Sequence, residues 1–203
     1  MFEKDTCEDC AVGRSWCINS CLPSQGSASC KIAIYFPYPD FMEDKRGRSF
    51  VGQRAEFVGW LLKKMGIGIE QVYMDYIVKC APGKLMPKNK EGRMEIVRSC
   101  RQFLIASLQN LPKLRSVVAL GSLPCEVLCG HTQVGSAAGW HLPPYEPNLR
   151  GKVDHVWVAY DPLYAIEKPV ESGAIFRVIY KAASEAGLGP NLVKGVPAFD
   201  FGK

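Results

Sequence analysis

The chain has 203 residues, of which 47% are hydrophobic and 22% are charged, and its formal net charge is +5. This composition is typical of globular proteins and argues against extended disorder. No apolar run approaches the roughly 20 residues of a transmembrane helix, and the acidic start of the chain lacks a signal-peptide core. We therefore expect a monomeric, cytoplasmic protein without a membrane segment, folded as a single domain over residues 1–203.

The first half of the chain predicts a strand, a loop and a helix after an irregular, cysteine-bearing segment over residues 1–30. The β-branched run over residues 31–36 predicts a strand. Pro37 and Pro39 end it, because proline donates no hydrogen bond to a central ladder. A polar, basic loop follows, and apolar residues at helical spacing predict a helix over residues 54–65.

The remaining segments alternate between strand and helix. Three further strands are predicted over residues 72–79, 116–120 and 153–159. Three further helices are predicted over residues 91–108, 123–128 and 172–186. Residues 131–152 predict a long loop, and residues 187–203 a loosely held C-terminal tail. This alternation predicts a three-layer α/β/α fold with a central parallel four-stranded sheet, whose ligand crevice lies beyond the carboxyl ends of the strands.

Basic residues cluster in two of the predicted loops. The first group comprises Lys45, Arg46, Arg48 and Arg54. The second comprises Lys79, Lys84, Lys88, Lys90 and Arg93. A solvated surface is one interpretation, but clustering also suits contact with a phosphate backbone. On the second interpretation, DNA is the partner and its contacts include Lys45, Arg46, Arg48, Lys88 and Lys90.

Nine cysteines in a chain without an export signal favour metal ligation over disulfide bonds. Cys7 and Cys10 form a CxxC pair, which can converge on one metal centre. A local zinc site of Cys7, Cys10, Cys17 and Cys21 is one possibility, and pairing of Cys7 and Cys10 with distant cysteines is the other. Two further cysteines lie in an apolar helical stretch and are expected to be packing residues, namely Cys125 and Cys129.

Four blocks of the sequence carry a resemblance to a known family. They are EDKRGRSFVG (residues 43–52), VYMDYIVKC (72–80), VVALGSLPCEVLCG (117–130) and VAYDPLY (158–164). They are similar to EDRQGRPFVG, VYITNVVKC, VIVALGRTAAKALLG and VPTYHPAY of the uracil-DNA glycosylase superfamily, in its iron–sulfur, family four type. The resemblance implies the glycosylase fold and a [4Fe-4S] cluster on Cys7, Cys10, Cys80 and Cys100, with zinc as the alternative.

The same resemblance locates the base site and shows where this chain departs from the family. Phe50 falls at the position of the phenylalanine on which the flipped base stacks. The water-positioning carboxylate of the family is replaced by Pro37, the uracil-reading asparagine by Tyr76, and the histidine that stabilises the uracil anion by Asp161. Excision of plain uracil is therefore not expected, because a site built for polar edges rejects ligands that leave them unpaired.

Two functional hypotheses follow. In the first, the chain is a DNA glycosylase that removes a modified or unusual base and leaves an abasic site. Asp40 and Asp161 are then its catalytic carboxylates. The base is bound by Phe50, Tyr76, Tyr38 and Pro39. His141 lies in a DNA-facing loop in which Trp140 or Tyr145 wedges into the duplex.

In the second hypothesis, the chain is a catalytically inactive relative that binds DNA as a scaffold in replication or repair. Asp40 and Asp161 then have local roles only: Asp40 caps the next turn, and Asp161, which precedes Pro162, starts one. Asp75 neighbours Tyr76 on a strand and is expected to point away from the base site.

Overall fold

The computed structural model describes residue 10 and residues 17–83, 86–196, 198 and 199. Within these residues, five strands form one sheet in the order β2-β1-β3-β5-β4. The strands are β1 (Ile32–Phe36), β2 (Val72–Tyr76), β3 (Ser116–Leu120), β4 (His141–Leu142) and β5 (Val156–Ala159). The four predicted strands are confirmed as β1, β2, β3 and β5, all parallel. A fifth strand, β4, adds an antiparallel edge that the prediction of four strands lacked.

Helices cover both faces of the sheet, as predicted for a three-layer fold. They are α1 (Phe41–Arg46), α2 (Gln53–Lys64), α3 (Lys90–Gln109), α4 (Ser122–Cys129), α5 (Val134–Ala137), α6 (Pro162–Glu167) and α7 (Ser172–Glu185). Along β1, Ile32, Ile34 and Phe36 pack towards α2 and α7, whereas Ala33 and Tyr35 pack towards α3 and α4. The strand is apolar throughout because both of its faces are buried. Among the described helices, none combines the length and the apolar character that a membrane span requires.

Three short helices, α1, α5 and α6, occupy segments that were predicted as loop or left unassigned. At α1, the Asp40 side chain accepts the Glu43 N–H while the Glu43 side chain accepts the Asp40 N–H, which is a reciprocal capping box. Gly47 ends this helix in the left-handed region, at φ 61°. At α6, Asp161 caps the helix and Pro162 occupies its first turn. The prediction of a loop between β1 and α2 is wrong here because local capping, not apolar periodicity, forms the helix.

The C-terminal segment docks on the end of α2 instead of hanging loosely. The Asn191 N–H donates to the Met65 carbonyl at 2.9 Å, and the Val193 N–H donates to the Lys64 carbonyl at 2.9 Å. Lys64 Nζ in turn donates to the Val196 carbonyl at 2.8 Å. The predicted loose tail is therefore wrong for residues 191–196, because main-chain groups there are satisfied by α2.

The strand order places a topological switch point between β1 and β3. The chain leaves β1 towards β2 on one side, whereas β3 leads on to β5 on the other. In open α/β sheets the connections diverge at such a point, and a crevice opens beyond the carboxyl ends of the strands. This edge of the sheet is therefore where a ligand site is expected.

Candidate functional site

A cleft of about 190 Å³ opens at this switch point. Its walls come from the segments that follow β1, β3 and β5 and from the start of α3. The lining residues are Pro37, Tyr38, Met86, Arg93, Ser122, Leu123 and Asp161. Apolar walls with a few convergent polar groups are typical of small-ligand sites. The cleft thus combines a carboxylate, a guanidinium and a hydroxyl with an aromatic ring.

Asp161 presents a carboxylate on the wall of this cleft. Arg54 Nε lies 2.9 Å from Asp161 Oδ1 and 3.0 Å from Oδ2, and the Asp161 side chain is 24% exposed. Burial lowers the pKa of Arg54, but the Asp161 carboxylate more than offsets this, so the Arg54 pKa lies above its usual value. Gly121 makes room, since a Cβ there would lie 3.3 Å from the Asp161 Cβ. Arg54 therefore stays protonated at neutral pH and forms an ion pair with Asp161.

Asp40 is engaged in a different way and is not among the described residues that line the cleft. Its Oδ1 accepts the Glu43 N–H at 2.8 Å, and its own N–H donates to Glu43 Oε2 at 2.8 Å. Its other oxygen lies against Gly52, where an added Cβ would approach Oδ2 to 2.0 Å. Asp40 thus caps the start of α1. This is the local role that the second hypothesis gave to Asp40 in place of catalysis.

Tyr76 lies on the ring of Phe50. The two rings stack with centroids 4.5 Å apart and planes 5° from parallel, and Tyr76 is only 1% exposed. The Phe50 N–H donates to Tyr76 Oη at 3.0 Å, and the Tyr76 hydroxyl donates to Glu43 Oε1 at 2.7 Å. Burial, followed by the nearby Glu43, raises the pKa of Tyr76 far above its usual value, so the hydroxyl stays protonated.

This stack decides what Phe50 can bind. One face of its ring and its backbone N–H are already used by Tyr76. Phe50 itself is 9% exposed and adopts a left-handed φ of 57°, which is uncommon for a residue other than glycine. The predicted base-binding residues therefore separate into two groups. Tyr38 lines the open cleft, whereas Phe50 and Tyr76 form a closed aromatic pair that is not among its lining residues, and Pro39 is buried.

A family model described as the uracil DNA glycosylase superfamily matches residues 23–183. The chain belongs to this superfamily. The type-4 uracil-DNA glycosylase of Pyrobaculum aerophilum is 26% identical over 157 residues, covering 75% of this chain and 76% of the relative. That of Archaeoglobus fulgidus is 25% identical, covering 73% of each. The type-5 enzyme of Thermus thermophilus is 29% identical over 60% of this chain and 62% of its own.

Most of the predicted DNA-contacting basic side chains of this superfamily member are exposed. Lys88 and Lys90 are exposed at the start of α3, and Lys45, Arg46 and Arg48 are exposed at the end of α1 and beyond it. Lys84 lies outside the described residues. Lys79 is buried and paired with Asp75, so it is unsuited to phosphate contact. Asp75 packs on the opposite side of β2 from Tyr76, which agrees with the alternation expected along a strand.

Arg93 belongs to the second basic cluster, and sequence reasoning gave it no role in a base site. It lines the cleft, and its Nη2 lies 3.4 Å from Glu126 Oε2 on α4. The sequence signal was its place in the second basic cluster, but only the fold shows that this position on α3 faces the strand ends. Arg93 therefore brings a positive charge to the wall that also carries Asp161.

His141 lies away from the cleft, at the antiparallel edge of the sheet. Its ring is 4.2 Å from that of His155 and 5.0 Å from that of Trp157. Trp140 and Tyr145, on either side of β4, are 68% and 62% exposed. The structure therefore leaves two large aromatic side chains exposed on this edge, away from the cleft that Asp161 lines.

Four thiols meet on the face of the sheet that α3 covers. Cys10, Cys80 and Cys100 are buried in one core cluster, and Cys17 is hydrogen-bonded to Cys80. Burial raises the pKa of Cys80, and the thiols of Cys17, Cys100 and Cys10 raise it further. Within the described part of the chain, no three His, Cys, Asp or Glu side chains are arranged to hold a metal ion. Cys7 lies outside the described residues.

The donor set nevertheless fits an iron–sulfur cluster. A [4Fe-4S] cluster takes one thiolate at each of its four irons, so its ligands stand further apart than the ligands of one ion. Three of the four predicted cysteines, Cys10, Cys80 and Cys100, share one buried neighbourhood although they are distant in sequence. The alternative local zinc site draws on Cys7, which the structure does not describe.

Proposed function

We propose that this chain is a DNA glycosylase that hydrolyses the N-glycosidic bond of a base other than plain uracil. The observation that carries the proposal is the stack of Tyr76 on Phe50, which fills the ring face expected to receive uracil. A separate cleft with a carboxylate on its wall stays open beside it. Removal of an abnormal base to leave an abasic site is the opening step of base-excision DNA repair.

The open cleft suits a single flipped base. Its volume of about 190 Å³ is below the roughly 300–1,000 Å³ of pockets for drug-sized ligands. The Tyr38 ring offers a stacking surface, and Ser122 and Arg93 offer hydrogen-bond donors to a polar edge. A base extruded from the duplex would thus exchange stacking on its neighbours for stacking on Tyr38.

Asp161 is the group we assign to the chemistry. Departure of a base leaves positive charge on the sugar, and a fixed carboxylate stabilises that charge or orients the attacking water. Arg54 holds the Asp161 carboxylate in place through both of its oxygens. Arg93, on the same cleft, would stabilise negative charge on the departing base. Water supplies the hydroxyl group to the sugar, and the base leaves with the bonding electrons and takes up a proton.

The cofactor we propose is a [4Fe-4S] cluster held by cysteines that include Cys10, Cys80 and Cys100. When bound, it would join the N-terminal segment to the strand end at Cys80 and to α3. Anaerobically purified protein is expected to contain about four irons per chain. Metal analysis that finds one zinc and no iron would favour the local zinc site.

The decisive experiment is an excision assay on a panel of DNAs that carry different natural and modified bases. Abasic sites are revealed by cleavage with alkali. A labile site with at least one base, and none with plain uracil, is the expected result. Excision of uracil at a rate matching that of other bases would contradict the role given to Tyr76.

DNA affinity is expected to depend strongly on salt and on the basic residues at the start of α3. Replacing both Lys88 and Lys90 by alanine should reduce the slope of log affinity against log salt by about two units, roughly one for each phosphate that is no longer neutralised. The matched control is Lys31→Ala with Lys113→Ala, because both lysines are exposed at the opposite, amino ends of β1 and β3. Equal slopes in both double variants would show that Lys88 and Lys90 are merely solvated.

A catalytically inactive DNA-binding protein is the second candidate. It is favoured by the fact that both candidate carboxylates, Asp40 and Asp161, cap helices. On this hypothesis the salt-dependent binding persists while no base in the panel yields an abasic site.

A further inference from the structure

Helix α1 has two charged side chains buried and two apolar side chains exposed, which is the reverse of an ordinary surface helix. Glu43 and Asp44 are each 3% exposed, whereas Phe41 is 68% exposed and Met42 is 42% exposed. A single exposed apolar residue is common, but neighbouring large ones often mark a contact surface. The exposed side of α1 is therefore a candidate binding surface.

The two buried carboxylates fix α1 to the rest of the protein. Glu43 Oε1 accepts the Tyr76 hydroxyl at 2.7 Å. Asp44 Oδ2 accepts the Ile18 N–H at 2.9 Å, and Asp44 Oδ1 accepts the Asn19 N–H at 2.7 Å. Charge-assisted hydrogen bonds of this kind hold a helix in one orientation. The exposed side of α1 is thus presented by a fixed backbone, as a precise contact surface requires.

Basic side chains share the exposed side of α1. Lys45 follows Phe41 by four residues and Arg46 follows Met42 by four, a spacing that puts each pair on one face of a helix. Lys45 and Arg46 are both exposed. We call these four side chains the outer face of α1. Because its apolar part is followed by two positive charges, this face complements the stacked bases and phosphate backbone of DNA better than it complements an apolar protein surface.

The outer face of α1 lies beside the cleft. Tyr38 lines the cleft, and its Cα atom is no more than about 11 Å from that of Phe41, because consecutive Cα atoms are about 3.8 Å apart. Both residues follow the carboxyl end of β1. A nucleotide that is extruded into the cleft leaves a gap in the base stack, and the side chains that insert into DNA are apolar, Phe and Met among them. Phe41 is therefore within reach of that gap.

We propose that the outer face of α1 binds double-stranded DNA next to the cleft, with the Phe41 ring inserted in the gap left by the extruded nucleotide. Met42 extends the apolar contact, and the two basic side chains contact the flanking phosphates. This inference rests on the DNA binding of the proposed function and needs no excision of the base. It assigns insertion to α1 and not to Trp140 or Tyr145, which lie on the β4 edge away from the cleft.

The test compares the affinity of the full chain for two duplexes of one sequence, one fully paired and one with a tetrahydrofuran analogue of an abasic site. The wild type is expected to prefer the abasic duplex, because its gap accepts the Phe41 ring without unstacking a base. Phe41→Ala is expected to lose about tenfold or more of the affinity for the abasic duplex, since stacking on the ring is lost, and none for the paired duplex. Phe41→Trp is expected to keep the preference.

Leu192→Ala is the matched control, because Leu192 is 69% exposed. Its neighbours on both sides donate to carbonyls at the end of α2, and α2 leads towards the start of β2. Leu192 thus lies at the amino edge of the sheet, opposite the cleft, and its substitution should change neither affinity. Lys45→Ala should lower the salt slope by about one unit for both duplexes and keep the preference.

Three results would overturn the inference. If Phe41→Ala keeps the preference, or loses affinity equally for both duplexes, the ring does not insert. Loss of the preference in Trp140→Ala instead would place the insertion at the β4 edge. A wild-type dimer that Phe41→Ala converts to a monomer in sedimentation, with the preference unchanged, would assign the outer face of α1 to a second copy of the chain. The expected preferences without excision of any base would support the inference and contradict only the catalytic part of the proposed function.

Discussion

Asp161→Asn is expected to reduce the rate of base excision about 100-fold to 1,000-fold, as is typical for loss of one positioned acid–base or electrostatic group. Asparagine keeps the shape of the side chain and still caps α6 well, but it carries no charge to stabilise the sugar. The measurement is the single-turnover rate on the best substrate of the base panel. Asp40→Asn is the matched control, because it preserves a cap at α1 outside the cleft.

A second control separates the charge of Asp161 from its ion pair. Arg54→Gln breaks the same pair but leaves the carboxylate in the cleft. Breaking a fully buried pair can destabilise a protein by about 3–5 kcal/mol, and a smaller loss is expected for this partly buried pair, so the unfolding of each variant is followed by circular dichroism. Arg54→Gln is expected to lose less activity than Asp161→Asn, because it keeps the carboxylate in the cleft. If Asp161→Asn remains folded and excises the base as fast as Asp40→Asn does, the catalytic assignment of Asp161 is wrong.

The sheet and the long helices could be predicted because their signals are local and repeated. β1 and β3 are short, continuous apolar runs, as expected for strands buried on both faces. Helix α3 has apolar residues at helical spacing over 20 residues. Helix α1 spans only 6 residues and β4 only 2, too few for any periodicity to appear. For α1, the local signals in the sequence were the pair Asp40 and Glu43 at its start and Gly47 at its end.

Only those parts of the site that are determined by residues close together in the chain could be predicted from the sequence. Asp161 follows a strand, and the parallel sheet places strand ends together, so its position at the cleft is a consequence of topology. Its partner Arg54 is separated from it by 107 residues, and no sequence pattern links the two. Cys17 was considered only for a local zinc site, because its approach to Cys80 depends on how Asp44 folds the N-terminal segment back.

The contact between Tyr76 and Phe50 is the part of the site that sequence comparison did not anticipate. Alignment placed both residues in the base site, Phe50 as the stacking ring and Tyr76 at the position that reads the base. The structure shows that the Tyr76 ring lies on the face of the Phe50 ring on which a base would stack. A substitution at the reading position therefore alters the stacking position as well, since the tyrosine ring and hydroxyl use the groups that a base would use.

Tyr76→Asn is accordingly expected to open the Phe50 ring to a flipped base and to raise affinity for uracil-containing DNA by about tenfold or more relative to the unsubstituted protein. Stacking of a base on an aromatic ring contributes roughly 1–3 kcal/mol, and the freed Phe50 N–H gains an acceptor on the base. Removal of a buried aromatic ring is also expected to lower the free energy of unfolding by about 3–5 kcal/mol. DNA-binding titrations of Tyr76→Asn are therefore carried out together with its urea denaturation, so that a loss of folding is not mistaken for a loss of affinity.

Tyr76→Phe is the control that isolates the ring from the hydroxyl. It leaves Phe50 covered, so it should gain no affinity for uracil, although Glu43 loses a buried hydrogen-bond donor and stability falls by about 1–3 kcal/mol. The gain is expected in binding alone, because Pro37 and Asp161 still replace the family's water-positioning carboxylate and its histidine. If folded Tyr76→Asn binds uracil-containing DNA no more tightly than Tyr76→Phe does, then the Phe50 ring is part of the core and the base is bound entirely by the Tyr38 cleft.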